Sequence, residues 1–247
     1  MEIKITTAKI NLAIVWLFLL FPFAAMADNR ILHEANYQGE FKGFTIKMTR
    51  TLYELGGGRF LLKANATSIL GYIEESEEFL WSEAAGIVPQ NYRYKQSVFS
   101  IKHYRSIDYD WSNMVAHTKD KKDTKKLPLQ EGILGPMSYQ LKLQLDLVKG
   151  EQQLNYHFVN RNKVKNFEFS RSDEKYSGQE KVWTDNAILV KRTNEGDDRQ
   201  TKLWFDVGGH FTLASLLQED GGDSHAMVME SYTFYPPFDK TPFALIE

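Results

Sequence analysis

The chain has 247 residues, a formal net charge of −2 at pH 7 and no cysteine. That balance excludes a basic domain built to hold nucleic acid. The missing cysteine excludes disulfides, thiol catalysis, cysteine-ligated metals and a lipid-modified cysteine.

Lys4 and Lys9 precede an apolar run, "LAIVWLFLLFPFAA" (12–25), which ends in Ala25-Met26-Ala27. A charged start, a short apolar stretch and an A-x-A site make an export signal, cleaved after Ala27. The run is about 14 residues, short of the roughly 20 that span a bilayer. The expectation is therefore a signal peptide over 1–27 and one β-rich domain over 28–247. The mature chain is expected in the periplasm, soluble, unlipidated and without a transmembrane segment. An exported chain without cysteine must rely on its core rather than on disulfides.

The rest reads mainly as strand. In "RFLLKANATSIL" (59–70), Phe60, Leu62, Ala64 and Ala66 share one face, and Lys63, Asn65 and Thr67 the other. Turn signals recur at Gly56-Gly57-Gly58, Gly71, Gly86, Asp185-Asn186, Gly196-Asp197-Asp198, Gly208-Gly209 and Gly221-Gly222. Strands so spaced form an antiparallel meander. One segment differs. In "LGPMSYQLKLQLDLVKG", Leu134, Met137, Leu141, Leu145 and Val148 fall at helical spacing. The alternation of Leu141, Leu143, Leu145 and Leu147 also permits a strand, but Pro136 fits a first helical turn better than a central strand. A helix over 134–149 is expected, with its apolar face against the concave side of a curved sheet. The predicted fold class is thus mainly β: a long curved antiparallel sheet, an open barrel or β-roll, with one helix.

"KDKKDTKK" (119–126) carries five lysines and two aspartates. It reads as a solvated hairpin tip, with contact to anionic lipid or glycan as the sharper alternative.

The stretch that looks richest in chemistry is "LWFDVGGHFT" (203–212). It aligns with "LWSEAAGIVP" (80–89), and more loosely with "VWTDNAILV" (182–190). The shared pattern is Trp, one residue, an acid, a turn and then apolar residues. Such a hairpin has a physical account: the acid bonds the turn backbone and Gly supplies positive φ. His210 falls where the other copy has Ile87, so Asp206 and His210 are read as structure, not as a catalytic pair.

The six histidines, His33, His103, His117, His157, His210 and His225, form no H-x-H or H-E-x-x-H pair, so no metal and no cofactor is expected. Asp108 and Asp110 in "IDYDW" share a strand face and are the best acids for a glycosidase, but lie beside the turn residues Ser112-Asn113. No G-x-S-x-G elbow, P-loop or dinucleotide pattern occurs. Aromatic residues remain: Trp81, Tyr92, Tyr94, Tyr109, Trp111 and Trp204 are the expected lining of a groove for an acyl chain or sugar ring. Ordinary sheet core is the competing account of them.

The segments "YQGEFKGFTI", "FLWSEAAGIVPQNYRYKQ", "IDYDW", "EGILGPMSYQLKLQLDL", "EKVWTDNAILVKR" and "KLWFDVGGHFTLASLLQED" occur in an order that resembles the exported bacterial family called domain of unknown function 3108. That resemblance implies a β-rich exported protein and transfers no catalytic residue. The Trp-acid-Gly hairpin also resembles those of periplasmic lipoprotein carriers, which are curved sheets with helices on the concave side. The expected function is non-enzymatic binding or carriage of an apolar or amphipathic envelope component, such as a lipid or glycan. An envelope assembly scaffold and a polysaccharide hydrolase are the alternatives. The sequence does not set the oligomeric state.

Overall fold

The computed structural model of the chain describes residues 29–41, 43–172, 186–194 and 199–244. The expected signal and its cleavage site after Ala27 lie outside these residues, as do Trp183, Asp185 and the turn at 196–198.

The first half of the chain forms β1 (Arg30–Phe41), β2 (Phe44–Gly56), β3 (Arg59–Ser68), β4 (Gly71–Ser82), β5 (Gly86–Val98), β6 (Ile101–Asp110), β7 (Val115–Asp120) and β8 (Asp123–Pro128). A helix, α1 (Ser138–Val148), follows. The second half forms β9 (Leu154–Asn160), β10 (Lys163–Ser172), β11 (Ala187–Arg192), β12 (Arg199–Asp206), β13 (Thr212–Asp220) and β14 (Asp223–Phe234). Among the described residues these fourteen strands make one sheet. Each half is an up-and-down meander, and the antiparallel pairing of β1 with β14 joins the two.

The period-two reading of residues 59–70 holds. Phe60 and Leu62 are buried and Ala64 packs against the core, while Asn65 and Thr67 are exposed. Register carries this inner face sideways across the sheet. Leu62 pairs with Leu52 and Glu77, and Phe60 pairs with Phe79, their rings 5.6 Å apart.

The sheet curls until its two edges, β8 and β9, approach one another, but no ladder closes it. Side chains bridge the seam. Thr118 Oγ1 donates to Asn162 Oδ1 at 2.7 Å, and Asn162 Nδ2 donates to the Asp123 carboxylate at 2.6 Å. The connector after β8 also helps. Leu134 makes an isolated parallel bridge to Phe158 of β9, its amide 2.9 Å from the His157 carbonyl.

That bridge corrects the helix boundary. A helix over 134–149 was expected from spacing, but it begins at Ser138, because Leu134 is held as strand and Gly135 and Pro136 turn the chain inward. The lead-in lies on Glu77. A Cβ on Gly135 would overlap the Glu77 carboxyl group, so only Gly lets the chain pass this close. Glu77 in turn accepts the amides of Met137 (2.7 Å) and Ser138 (3.2 Å), which are orphan donors at the helix start.

The alternating leucines now have an explanation. Leu141, Leu143, Leu145 and Leu147 are all buried because the sheet wraps around α1 on several sides. A helix inside a barrel is apolar around much of its circumference, which blurs the one-sided pattern. The C-terminal segment completes the plug: Phe243 sits edge-on to Phe60 (5.1 Å) and Phe79 (6.3 Å).

The meander gives the barrel two distinct ends. At one, here the tip rim, lie the turns joining β1 to β2, β3 to β4, β5 to β6, β7 to β8, β9 to β10 and β13 to β14. At the other, the plug end, lie the turns before β3, β5, β7 and β13, with Phe238 and Phe243.

Candidate functional site

The turn "DVGGHF" at the plug end is structural. Asp206 is buried and accepts the Gly208 amide at 3.1 Å, as the hairpin account requires. The positive φ expected of the glycines falls instead to His210 and Phe211 (50° and 55°), while Gly208 and Gly209 do not adopt it. The His210 carbonyl accepts Gln144 Nε2 at 2.9 Å, tying the turn to α1, and its ring meets Phe234 edge-on at 4.7 Å. In the matching hairpin at 80–89, Ser82 rather than Glu83 holds the turn, accepting the Ala85 amide at 3.1 Å.

Asp108 and Asp110 point to the outer face of β6, opposite the buried Ile107 and Tyr109. Asp108 pairs with Arg93 at 2.5 Å. Asp110 accepts from Ser112 (2.6 Å), the Asn113 side chain (2.7 Å) and the Asn113 amide (3.1 Å). Those bonds, the Asn113 side chain foremost, hold its carboxyl at about 2. Neither acid borders the cavity inside the sheet, and Asp108 instead lies in an open outer-face cleft with His117, Lys119 and Lys126.

The aromatic candidates mostly line one inner wall. Tyr92 donates to Glu75 at 2.5 Å, and burial pushes its hydroxyl pKa well up. Tyr94 lies under the Arg105 guanidinium (4.5 Å) and edge-on to His103 (5.8 Å). Tyr109 stacks on Trp111 at 6.3 Å, and Trp111 Nε1 donates to the Pro89 carbonyl at 2.7 Å. Trp81 packs against the same core, and Trp204 is buried.

A cavity of ≈ 200 Å³ lies between α1 and the inner faces of β1–β3 and β10–β13, and none of these six aromatics borders it. Its lining is mixed: Leu52, Leu62, Leu143, Phe169, Leu203 and Leu216 are apolar, and Gln144, Thr201, Thr212 and Gln218 are polar. Phe238 and Phe243 close it toward the plug end, and Arg50, Arg192 and Arg199 border it toward the tip rim. Arg50 donates to Gln140 Oε1 of α1 at 2.9 Å, and Arg192 stacks on Phe167 with 3.5 Å to the ring centre. His33, on the cavity wall, stacks on Phe234 at 4.6 Å. Its Nε2 is buried without a partner, and burial lowers its pKa to about 3, helped by the nearby Arg50.

Arg50 belongs to a belt of inner-face charge halfway along the barrel. Glu75 and Arg105 are its neighbours; burial raises the Glu75 pKa, opposed by Tyr92 and by both arginines. Beyond the belt, toward the tip rim, a second cleft of ≈ 240 Å³ is lined by Phe41, Phe44, Ile46, Ala66, Ile73 and Val98 among others. The inner face thus carries two separate hollows, an apolar cleft near the tip rim and a deeper cavity bordered by arginines.

These belt residues had a signal that the sequence reading passed over. Arg50 stands in the apolar phase of Met48-x-Arg50-x-Leu52, and Glu75 and Glu77 in that of Ile73-x-Glu75-x-Glu77-x-Phe79. A charge in the buried phase of a strand needs a partner or a purpose. Among the described residues no group of three or more His, Asp or Glu side chains is arranged to hold a metal. No helix there is long and apolar enough to cross a membrane, which says nothing of strands.

No curated protein matches the chain by sequence. Its fold is similar to that of the beta-barrel-like protein of domain of unknown function DUF1849 from Brucella abortus. The TM-score is 0.54 at 9% identity, over 85% of this chain and 100% of that one. At that identity only the fold is shared. The family described as protein of unknown function (DUF3108) matches residues 79–218, leaving "YQGEFKGFTI" (37–46) outside the match. More than half of the chain is covered, and the protein belongs to that family.

Proposed function

We propose that this is a non-enzymatic periplasmic binding protein for an amphipathic envelope component with an acidic head. The single observation that supports this is the ≈ 200 Å³ cavity, more apolar than polar in its lining and bordered on one side by Arg50, Arg192 and Arg199. An aliphatic cavity of about 150 Å³ accepts benzene, so this one suits an apolar group of about six to eight carbons. A longer chain would extend toward the mouth. Guanidinium groups at the cavity border match a carboxylate or phosphate head. The hydrolase alternative loses its best acids, since Asp108 and Asp110 serve an ion pair and a turn.

Native mass spectrometry of protein purified from the periplasm, compared with the denatured mass, is the direct test. Excess mass lost on denaturation is expected, and Leu216→Trp, which fills the cavity, removes it. Arg50→Gln weakens retention of a fatty-acid probe by about tenfold, the scale of one charge-assisted hydrogen bond. An empty native protein that also ignores fatty-acid and phospholipid probes would falsify the reading.

A further inference from the structure

Hairpin tips are ordinarily polar. Three neighbouring tips on the tip rim are not. Phe41 and Phe44 flank the first, Ile69 and Leu70 form the second, and Phe99 and Ile101 bracket the third. Ile69 is 87% exposed, Phe99 68% and Ile101 66%. Phe99 also holds φ 48°, a backbone region that a bulky residue adopts at a cost. Neither burial nor backbone preference accounts for Phe at that position.

The next hairpin along the sheet, β7–β8, carries Lys119, Lys121, Lys122, Lys125 and Lys126, all exposed. Its Asp120 turns inward to His103 (2.5 Å) and Arg105 (3.3 Å), which leaves the tip's outward charge dominated by lysine. Lys102, also exposed, adjoins Ile101. Sheet order sets these four hairpins side by side, so apolar tips and a cationic tip form one continuous arc of the rim, bounded on its other side by the β13–β14 tip with Asp220 and Asp223. The corresponding plug-end turns, 83–85 and 111–114, carry Glu83, Ser112 and Asn113, with Met114, 39% exposed, as their large apolar exception.

We propose that this rim docks the protein on an anionic lipid surface. Apolar side chains on short rigid turns enter the headgroup layer, and the adjacent lysines engage the anionic heads. A run of three apolar tips beside a cationic one complements an anionic lipid surface better than it complements a second copy of this rim, whose lysines would face lysines. Docking holds the apolar mouth cleft against the leaflet. The proposal does not require the deep cavity to be filled, so the two readings fail independently.

The absence of native cysteine makes the test clean. Ile69→Cys and Phe99→Cys on the rim, and Ala84→Cys at the plug end, are each labelled with an environment-sensitive fluorophore in the full chain. Vesicles are phosphatidylcholine with or without phosphatidylglycerol. The expected result is a several-fold rise in emission with a blue shift at 69 and 99 on anionic vesicles, and none at 84. Salt and the double substitution Lys121→Glu/Lys122→Glu both reduce it. An equal response at 84 overturns the proposal. So does silence at both rim labels. A rim response that depends on protein concentration without lipid also overturns it, and assigns the rim to contact between copies of this chain.

Discussion

His33 shows how one buried group sets acid sensitivity. Its ring sits on the cavity wall with Nε2 unpartnered, and burial lowers its pKa from 6.5 to about 3. Between those values the unfolded chain binds a proton that the folded chain refuses, so stability falls as pH drops from 6.5 toward 3. The slope is at most about 1.4 kcal/mol per pH unit for one proton. His33→Phe keeps the stack on Phe234 and should flatten this limb, read as urea midpoints of both proteins across that range. Glu77 works in the opposite sense. Burial raises its pKa from 4.5 to about 7 against the pull of the Ser138 and Met137 bonds, so its contribution is lost as pH rises through that window. Comparing wild type with His33→Phe cancels the Glu77 effect, which both share.

The element most dependent on a single contact is α1. Its start has no side-chain cap of its own, and the role falls to Glu77, which reaches it from β4. Gly135 makes room for that carboxyl group. Gly135→Ala should therefore cost about 1–3 kcal/mol through overpacking. Thermal unfolding checks the sign: a neutral or stabilising outcome would mean that the lead-in moves freely off Glu77. The sequence announced this helix by its leucine spacing and by Pro136, yet set its start at 134. Leu134 became strand because β9 presented an open edge beside it, and no local pattern encodes a partner that lies more than twenty residues away.

At the scale of the molecule, the open question for a curled sheet is what holds its edges together. Here Asn162, in the β9–β10 turn, bonds Thr118 and Asp123 across the seam. Asn162→Ala removes both bonds and should cost about 1–2 kcal/mol, the scale of one or two lost hydrogen bonds. The larger effect is local: amides of β7 to β10 should exchange faster with solvent while those of β1 to β5 do not change. Uniform exchange throughout would show that the seam is not a separate opening unit.

The residues by themselves determined the class of this fold. Period-two alternation, frequent turn signals and one helical interval specify a β meander with a single helix, because those signals act within a few residues. The role of the acid in "WFDVGGHF" was legible for the same reason, since Asp206 bonds an amide two residues on, but the positive φ expected of the glycines fell to His210 and Phe211. The site was far less legible. Arg50, Arg192 and Arg199 lie far apart in the chain, and only the pairing of β1 with β14 and the curl of the sheet bring them to one cavity. Tyr92, Tyr109 and Trp111 look from sequence like a groove lining, but their polar atoms are committed to Glu75, the Leu134 carbonyl and the Pro89 carbonyl. Which charges share a lumen, and which tips share a rim, depends on strand order and curvature. Those are properties of the curled sheet as a whole, and tertiary packing alone decided them.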